Sequence, residues 1–280
     1  MGETAAAPLR GRAYNKAGIL AYEQGDVAEA ERCETAALLL QGEDDDRWDR
    51  VSTLNMLGVI AMERARYAEA ERWLNEAVAL AQAVGHTANG AHALNNLGVT
   101  ALRRGHARRA METFAQSLAT FTSLDDHRSA ALLRINLGEA MHRLGRPQQA
   151  LSLLVEARAG WLAFGELAGA AAAVHAQALI QADLGNFAAA RALWHDALET
   201  LRKVGADHLI ARCLFGLSTL ALRQGEQGRS VELLEQAQRL YERLGDMRTL
   251  SYIMADWSDA ALAHGDYAAA GQRCQEALAL

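Results

Sequence analysis

The sequence predicts an all-α fold, a solenoid of seven stacked helix–turn–helix hairpins. Three observations carry that prediction. Only two prolines occur in 280 residues. The hydrophobic share is 51%, yet aromatics make up 6% and alanine and glycine supply much of the rest. Above all, one pattern of small and apolar residues returns every forty positions. With few helix breakers and few β-branched runs, helix is the default state of such a chain.

The period is read in columns. Gly25, Ala65, Gly105, Gly145, Gly185, Gly225 and Gly265 close the first helix of each hairpin. Five residues on stand Ala30, Ala70, Ala110, Ala150, Ala190, Ser230 and Ala270, and seven beyond those Ala37, Ala77, Ser117, Ala157, Ala197, Ala237 and Ala277. Such registered self-similarity marks a repeat array. Its units fall at about 7–45, 46–85, 86–125, 126–165, 166–205, 206–245 and 246–280. A single hairpin cannot bury its apolar face alone, so neighbours must stack, and one domain is expected over 1–280.

The elements follow in order. Pro8 is placed in the first turn of the first helix. Glycine at each first break supplies a left-handed residue, and Asp26, Asn186 and Asp266 follow as N-caps. A second break falls at Gly85, Gly165, Gly205 and Gly245, with Asp46, Asp126 and Asp246 as acidic caps. A further small column, Gly18, Gly58, Gly98, Gly138, Ala178, Ser218 and Ser258, lets the two helices approach, while Leu74, Phe114, Leu154, Trp194 and Leu234 fill the space between. The array ends on the apolar EALAL, where a polar capping helix is usual, so a longer parent protein or a covering partner is expected.

Composition excludes several functions. A net charge of −6 argues against direct nucleic-acid binding. Cys33, Cys213 and Cys274 stand in no metal or disulfide spacing, and no apolar run approaches a membrane span of about 20 residues, so a cytoplasmic protein is expected. Neither Lys16 nor Lys203 sits in a phosphate-binding loop, and GxGxxG, GxSxG and HExxH are absent. His86 and His92 are the nearest approach to a ligand pair. The carboxylates Glu43, Asp44, Asp45 and Asp46 read as a solvated helix cap, and Asp256 and Asp259 fall one turn apart near the groove. No catalytic residue, cofactor or metal is expected.

The columns resemble the tetratricopeptide repeat over essentially the whole chain. The leucine followed by a small residue matches Leu57–Gly58, Leu97–Gly98 and Leu137–Gly138, and the later positions match Ala110, Phe114 and Ser117, or Ala190, Trp194 and Ala197. The period of forty rather than thirty-four, with stretches such as YERLGD, is similar to the sensor arrays of large bacterial nucleotide-dependent regulators of the maltose-activator type. The resemblance implies a right-handed α–α superhelix whose first helices line a concave groove for a protein or peptide.

Counting the Gly98 column as position eight, the groove-facing positions hold Asn15, Asn55 and Asn95 at five, Asn96 and Asn136 at six, His142 at twelve, and Arg103, Arg143 and Arg223 at thirteen. The binding residues expected from this are Asn55, Asn95, Asn96, Arg103, Asn136, His142 and Arg143. Asparagine both donates and accepts, so a ladder of them can hold an extended peptide backbone. Residues 103–146 carry eight arginines against four acids, and residues 23–76 six against fourteen, which points to an acidic ligand near units three and four. The plain alternative is that the asparagines bond to neighbouring helices and the arginines lie on the outer face, as expected for Arg104, Arg108 and Arg109. The family's carboxylate clamp is not reproduced, since Asn55 and Val59 stand where lysine and asparagine would. Trp161, Trp194 and Trp257 fall in core columns, and Trp48 has no assigned role.

Two readings result: a non-catalytic sensor or interaction arm of a bacterial ATP-dependent transcription regulator, or a free-standing peptide receptor or adaptor. An enzyme in the groove would need pKa-shifted groups that the sequence does not suggest. Homo-oligomers through the uncapped ends are a further expectation.

Overall fold

The structure, a computed structural model, describes residues 2–42, 47–263 and 265–279. The acidic run from Glu43 to Asp46 lies outside them. The described residues form fourteen α-helices and no strand. None of these helices is long and apolar enough to cross a membrane.

The chain makes two compact units, residues 1–150 and 151–280. The first contains α1 (Gly2–Glu23), α2 (Val27–Leu40), α3 (Arg47–Glu63), α4 (Tyr67–Ala83), α5 (Thr87–Arg103), α6 (Ala107–Ser123), α7 (His127–Arg143) and the start of α8 (Pro147–Ala163). Here α1 packs on α2, α3 on α4 and α5 on α6, while α1, α3, α5 and α7 form a row of first helices. The second unit contains the rest of α8 and α9 (Leu167–Asp183), α10 (Phe187–Val204), α11 (Asp207–Arg223), α12 (Gln227–Leu244), α13 (Met247–Ala263) and α14 (Tyr267–Ala279). Within it α9 pairs with α10, α11 with α12 and α13 with α14, and α9, α11 and α13 stack in a row.

The helix ends follow the expected chemistry with a few exceptions. Gly105 takes φ +78°, and the following His106 N–H reaches back to the Ala101 carbonyl at 2.8 Å, closing the helix. Ala65 and Asp125 adopt the same left-handed conformation at φ 55°, where their Cβ atoms are crowded. Asp26 and Asp266 cap as expected, accepting from Glu29 N at 2.9 Å and Ala269 N at 3.1 Å. Asn186 does not: its side chain instead donates to Gln181 Oε1 at 2.8 Å. Pro8 is not in the first turn, because the helix-favouring residues before it extend α1 back to Gly2.

The core is built from the columns. Ala70, Ala110 and Ala190 are completely buried, as are Leu74 and Phe114, with Trp194 at 1%. A Cβ added to Gly98 would come 2.4 Å from the Phe114 ring, and one on Gly58 would come 2.5 Å from Leu74, so the close helix approach requires glycine at both. In the sixth unit two columns of small residues carry serine for a reason. Ser218 and Ser230 hydroxyls lie 3.2 and 3.1 Å from Trp257 Nε1, giving the buried indole N–H an acceptor.

One member of the knob column is not apolar. Glu34 stands where Leu74, Phe114 and Trp194 stand in later hairpins, and it is completely buried against Gly18. Asn15 Nδ2 donates to its Oε2 at 2.9 Å, and Gln41 Nε2 donates to the neighbouring Thr53 Oγ1 at 3.0 Å. Burial pushes the Glu34 carboxyl up to about 8, against the pull of hydrogen bonds from Asn15 and Thr53.

Candidate functional site

Each unit presents a row of first helices, and the repeat register places chemically different side chains on the two rows. On the first unit, Asn96 Nδ2 donates to Asn55 Oδ1 at 2.9 Å, and Asn136 Nδ2 donates to Asn95 Oδ1 at 2.8 Å. Asn95 Nδ2 lies 3.4 Å from Asn96 Oδ1, joining the two pairs into one chain across α3, α5 and α7. All four are half-buried. The ladder therefore exists, but as bonds between neighbouring helices. Each of Asn95, Asn96 and Asn136 carries a second amide N–H that the ladder does not use.

The arginines at position thirteen tie repeats together. Arg103 Nη1 lies 3.5 Å from Met62 O, Arg143 Nη1 3.0 Å from Leu102 O, and Arg223 Nη1 3.4 Å from Ala182 O. Every acceptor belongs to the last turn of the preceding first helix, where each carbonyl also takes the N–H of the left-handed residue that closes the helix and a cation complements the dipole. His142 sits half-buried in the last turn of α7 beside Arg143. Part of the basic stretch is compensated by acids of the preceding repeat: Glu71 takes Arg104 at 2.9 Å and Arg109 at 3.1 Å, and Glu63 takes Arg103 at 3.5 Å. Arg143 pairs with Glu139 at 2.6 Å.

His86 and His92 do not converge on a metal. The His86 ring accepts from Asn89 N at 3.3 Å and meets the exposed Trp48 edge-on at 4.4 Å, while His92 packs on Phe121 at 4.7 Å. Among the described residues no group of three potential ligands comes together.

On the second unit the same face opens into a cavity of about 710 Å³. Position five now holds His175 and Phe215, position nine Leu179, Thr219 and Asp259, and position two Arg212. The asparagines of the first unit have no counterpart at these positions. The change from asparagine to His175 and Phe215 in that column was the available signal.

The chemistry of the wall is set by burial. Trp194 Nε1 donates to His175 Nδ1 at 3.1 Å, so the ring proton of the neutral imidazole sits on Nε2. Burial, helped by the Arg212 charge, drives the His175 pKa down to about 3. Cys213 Sγ lies 3.7 Å from the same Nδ1, and burial pushes its thiol up to about 12. The pair is thus a neutral imidazole against a neutral thiol, held for packing rather than nucleophilic attack. Tyr241 is completely buried, and its hydroxyl has no hydrogen-bond partner among the described residues. Arg223 is committed to Asp183 at 3.2 Å. Asp259 borders the cavity, whereas the Asp256 side chain lies outside the described residues.

Comparison with known proteins agrees with this architecture. The family model for the tetratricopeptide repeat matches residues 49–123 and 169–243, more than half of the chain. No curated protein matches. The chain is similar in structure to the apo form of RapI, at a TM-score of 0.77 and 12% identity, over 95% of both chains. It is similar also to a Rap protein complexed with competence and sporulation factor, at 0.78 and 14%, over 95% of this chain and 73% of that one. A signal transduction ATPase with numerous domains and a tetratricopeptide repeat sensor, from Pyrococcus horikoshii, matches at 0.65 and 13%, over 95% of this chain and 41% of that one. At such identities the likeness concerns the fold. With its forty-residue hairpins, glycine-closed helices and small-residue columns, the chain belongs to the tetratricopeptide repeat family.

Proposed function

We propose that the chain is a non-catalytic scaffold for a protein or peptide, and that the α9–α11–α13 face of the second unit receives part of that partner. The observation that carries this reading is the cavity of about 710 Å³, of ligand-pocket size and walled by both apolar and charged groups. On the first unit, the spare amide N–H groups of Asn95, Asn96 and Asn136 serve an extended backbone in the same way, with Asn55, Arg103, His142 and Arg143 around them. The neighbour solved with competence and sporulation factor supports a binding role for this fold. The ATPase whose repeats form a sensor supports the narrower reading, a sensor arm of a nucleotide-dependent regulator in the cytoplasm.

Panning a displayed random-peptide library against the whole chain tests the site. Thr219→Trp fills the cavity from α11 and should weaken the selected peptides at least tenfold at an unchanged melting temperature. Equal binding by both proteins would remove the site. The regulator reading has its own check: the coding sequence beside this array should contain a nucleotide-binding module, and its absence there ends that reading.

A further inference from the structure

We infer that the partner of the second-unit face carries one acidic and one basic group about four extended residues apart, held by Arg212 and Asp259 respectively. This rests on the peptide-binding reading above and names the chemistry that the site selects.

The charged groups around the cavity fall into two sets. Arg223 is neutralised by Asp183 at 3.2 Å, and His208 lies 3.6 Å from Asp246. Arg212 and Asp259 are exposed and have no ion-pair partner among the described residues. Arg212 stands among the wall residues, since its charge acts on His175, His208 and Tyr241 together. Covering either group with an apolar partner would strand a desolvated charge, so a fitting partner brings the opposite charge to each.

The register explains why the two do not neutralise each other. Arg212 lies near the amino end of α11, and its equivalent on α13 is residue 252. Asp259 is seven positions further along, towards the carboxyl end. Seven helical residues advance about 10 Å and neighbouring helices stand about 8–10 Å apart, which separates the two by about 14 Å. An extended chain covers that distance in about four residues at about 3.3 Å each. Phe215, Thr219 and Ile253 border the cavity as neutral groups.

The test uses the full chain and three pools of acetylated, amidated, fluorescently tagged heptapeptides. In the first pool glutamate and arginine are four apart; in the second they are adjacent; in the third both are alanine. The first pool should bind at least tenfold tighter than the third and clearly tighter than the second. Arg212→Ala and Asp259→Ala should each reduce the advantage of the first pool over the third, with melting temperatures unchanged because both residues are exposed. Equal binding of all three pools, lost in Thr219→Trp, would overturn the charge pairing and leave the peptide site standing. Binding of no pool by the unaltered protein would overturn both.

Discussion

Glu34→Gln should stabilise the first hairpin, by an amount that grows with pH. The glutamine side chain would keep the shape and an acceptor for Asn15 Nδ2 but could not ionise. Glu34 is completely buried, and burial raises its pKa from 4.5 to about 8. Because the folded value lies above that of the unfolded chain, the native state holds this proton more tightly. The stability so contributed is whole below about pH 4.5 and is lost as pH rises through about 8. At about 1.4 kcal/mol per unit, the loss is on the order of 3 kcal/mol by pH 7 and 5 above pH 8. Urea unfolding followed by circular dichroism, with hydrogen exchange of α1 and α2, should show Glu34→Gln and the original protein converging near pH 4.5, diverging up to about pH 8 and staying apart by a constant amount above it. Parallel pH profiles would refute the reasoning, since they would mean that the carboxyl is already ionised or already reaches water.

Three further outcomes are expected. Gly98→Ala drives a methyl to within 2.4 Å of Phe114, so despite the better helix propensity of alanine it should cost about 1–2 kcal/mol in thermal unfolding. Ala65→Gly relieves a left-handed residue at φ 55° and should raise stability by up to about 1 kcal/mol, whereas the same change at Ala115, an exposed interior position of α6, should lower it. Asn96→Ala removes the bond to Asn55 and should cost about 1 kcal/mol, while Asn96→Asp, which cannot donate to Asn55, should cost at least as much. If Asn96→Ala instead leaves the melt unchanged and weakens peptide binding, the ladder serves the ligand first.

The asparagine ladder and the cavity show what the sequence could and could not tell. Asn55, Asn95, Asn96 and Asn136 were legible as one aligned set, because the forty-residue period fixes which positions share a face. That their amides meet at 2.8 to 3.4 Å and bind each other depends on rotamers and helix spacing. The compensation of Arg104 and Arg109 by Glu71 was equally hidden, since the partners lie more than thirty residues apart and pair only when repeats stack.

The sequence by itself determined the hairpins, their register, their closing glycines and the small-against-large packing of Gly98 on Phe114. These depend on local conformational preference and on a period that a linear chain displays openly. The tertiary structure decided the rest: that Glu34 loses its water, that Ser218 and Ser230 serve Trp257, and that the second unit opens a cavity between Arg212 and Asp259. Desolvation, cavity volume and the pairing of charges belong to the space between helices. No single stretch of sequence contains that space.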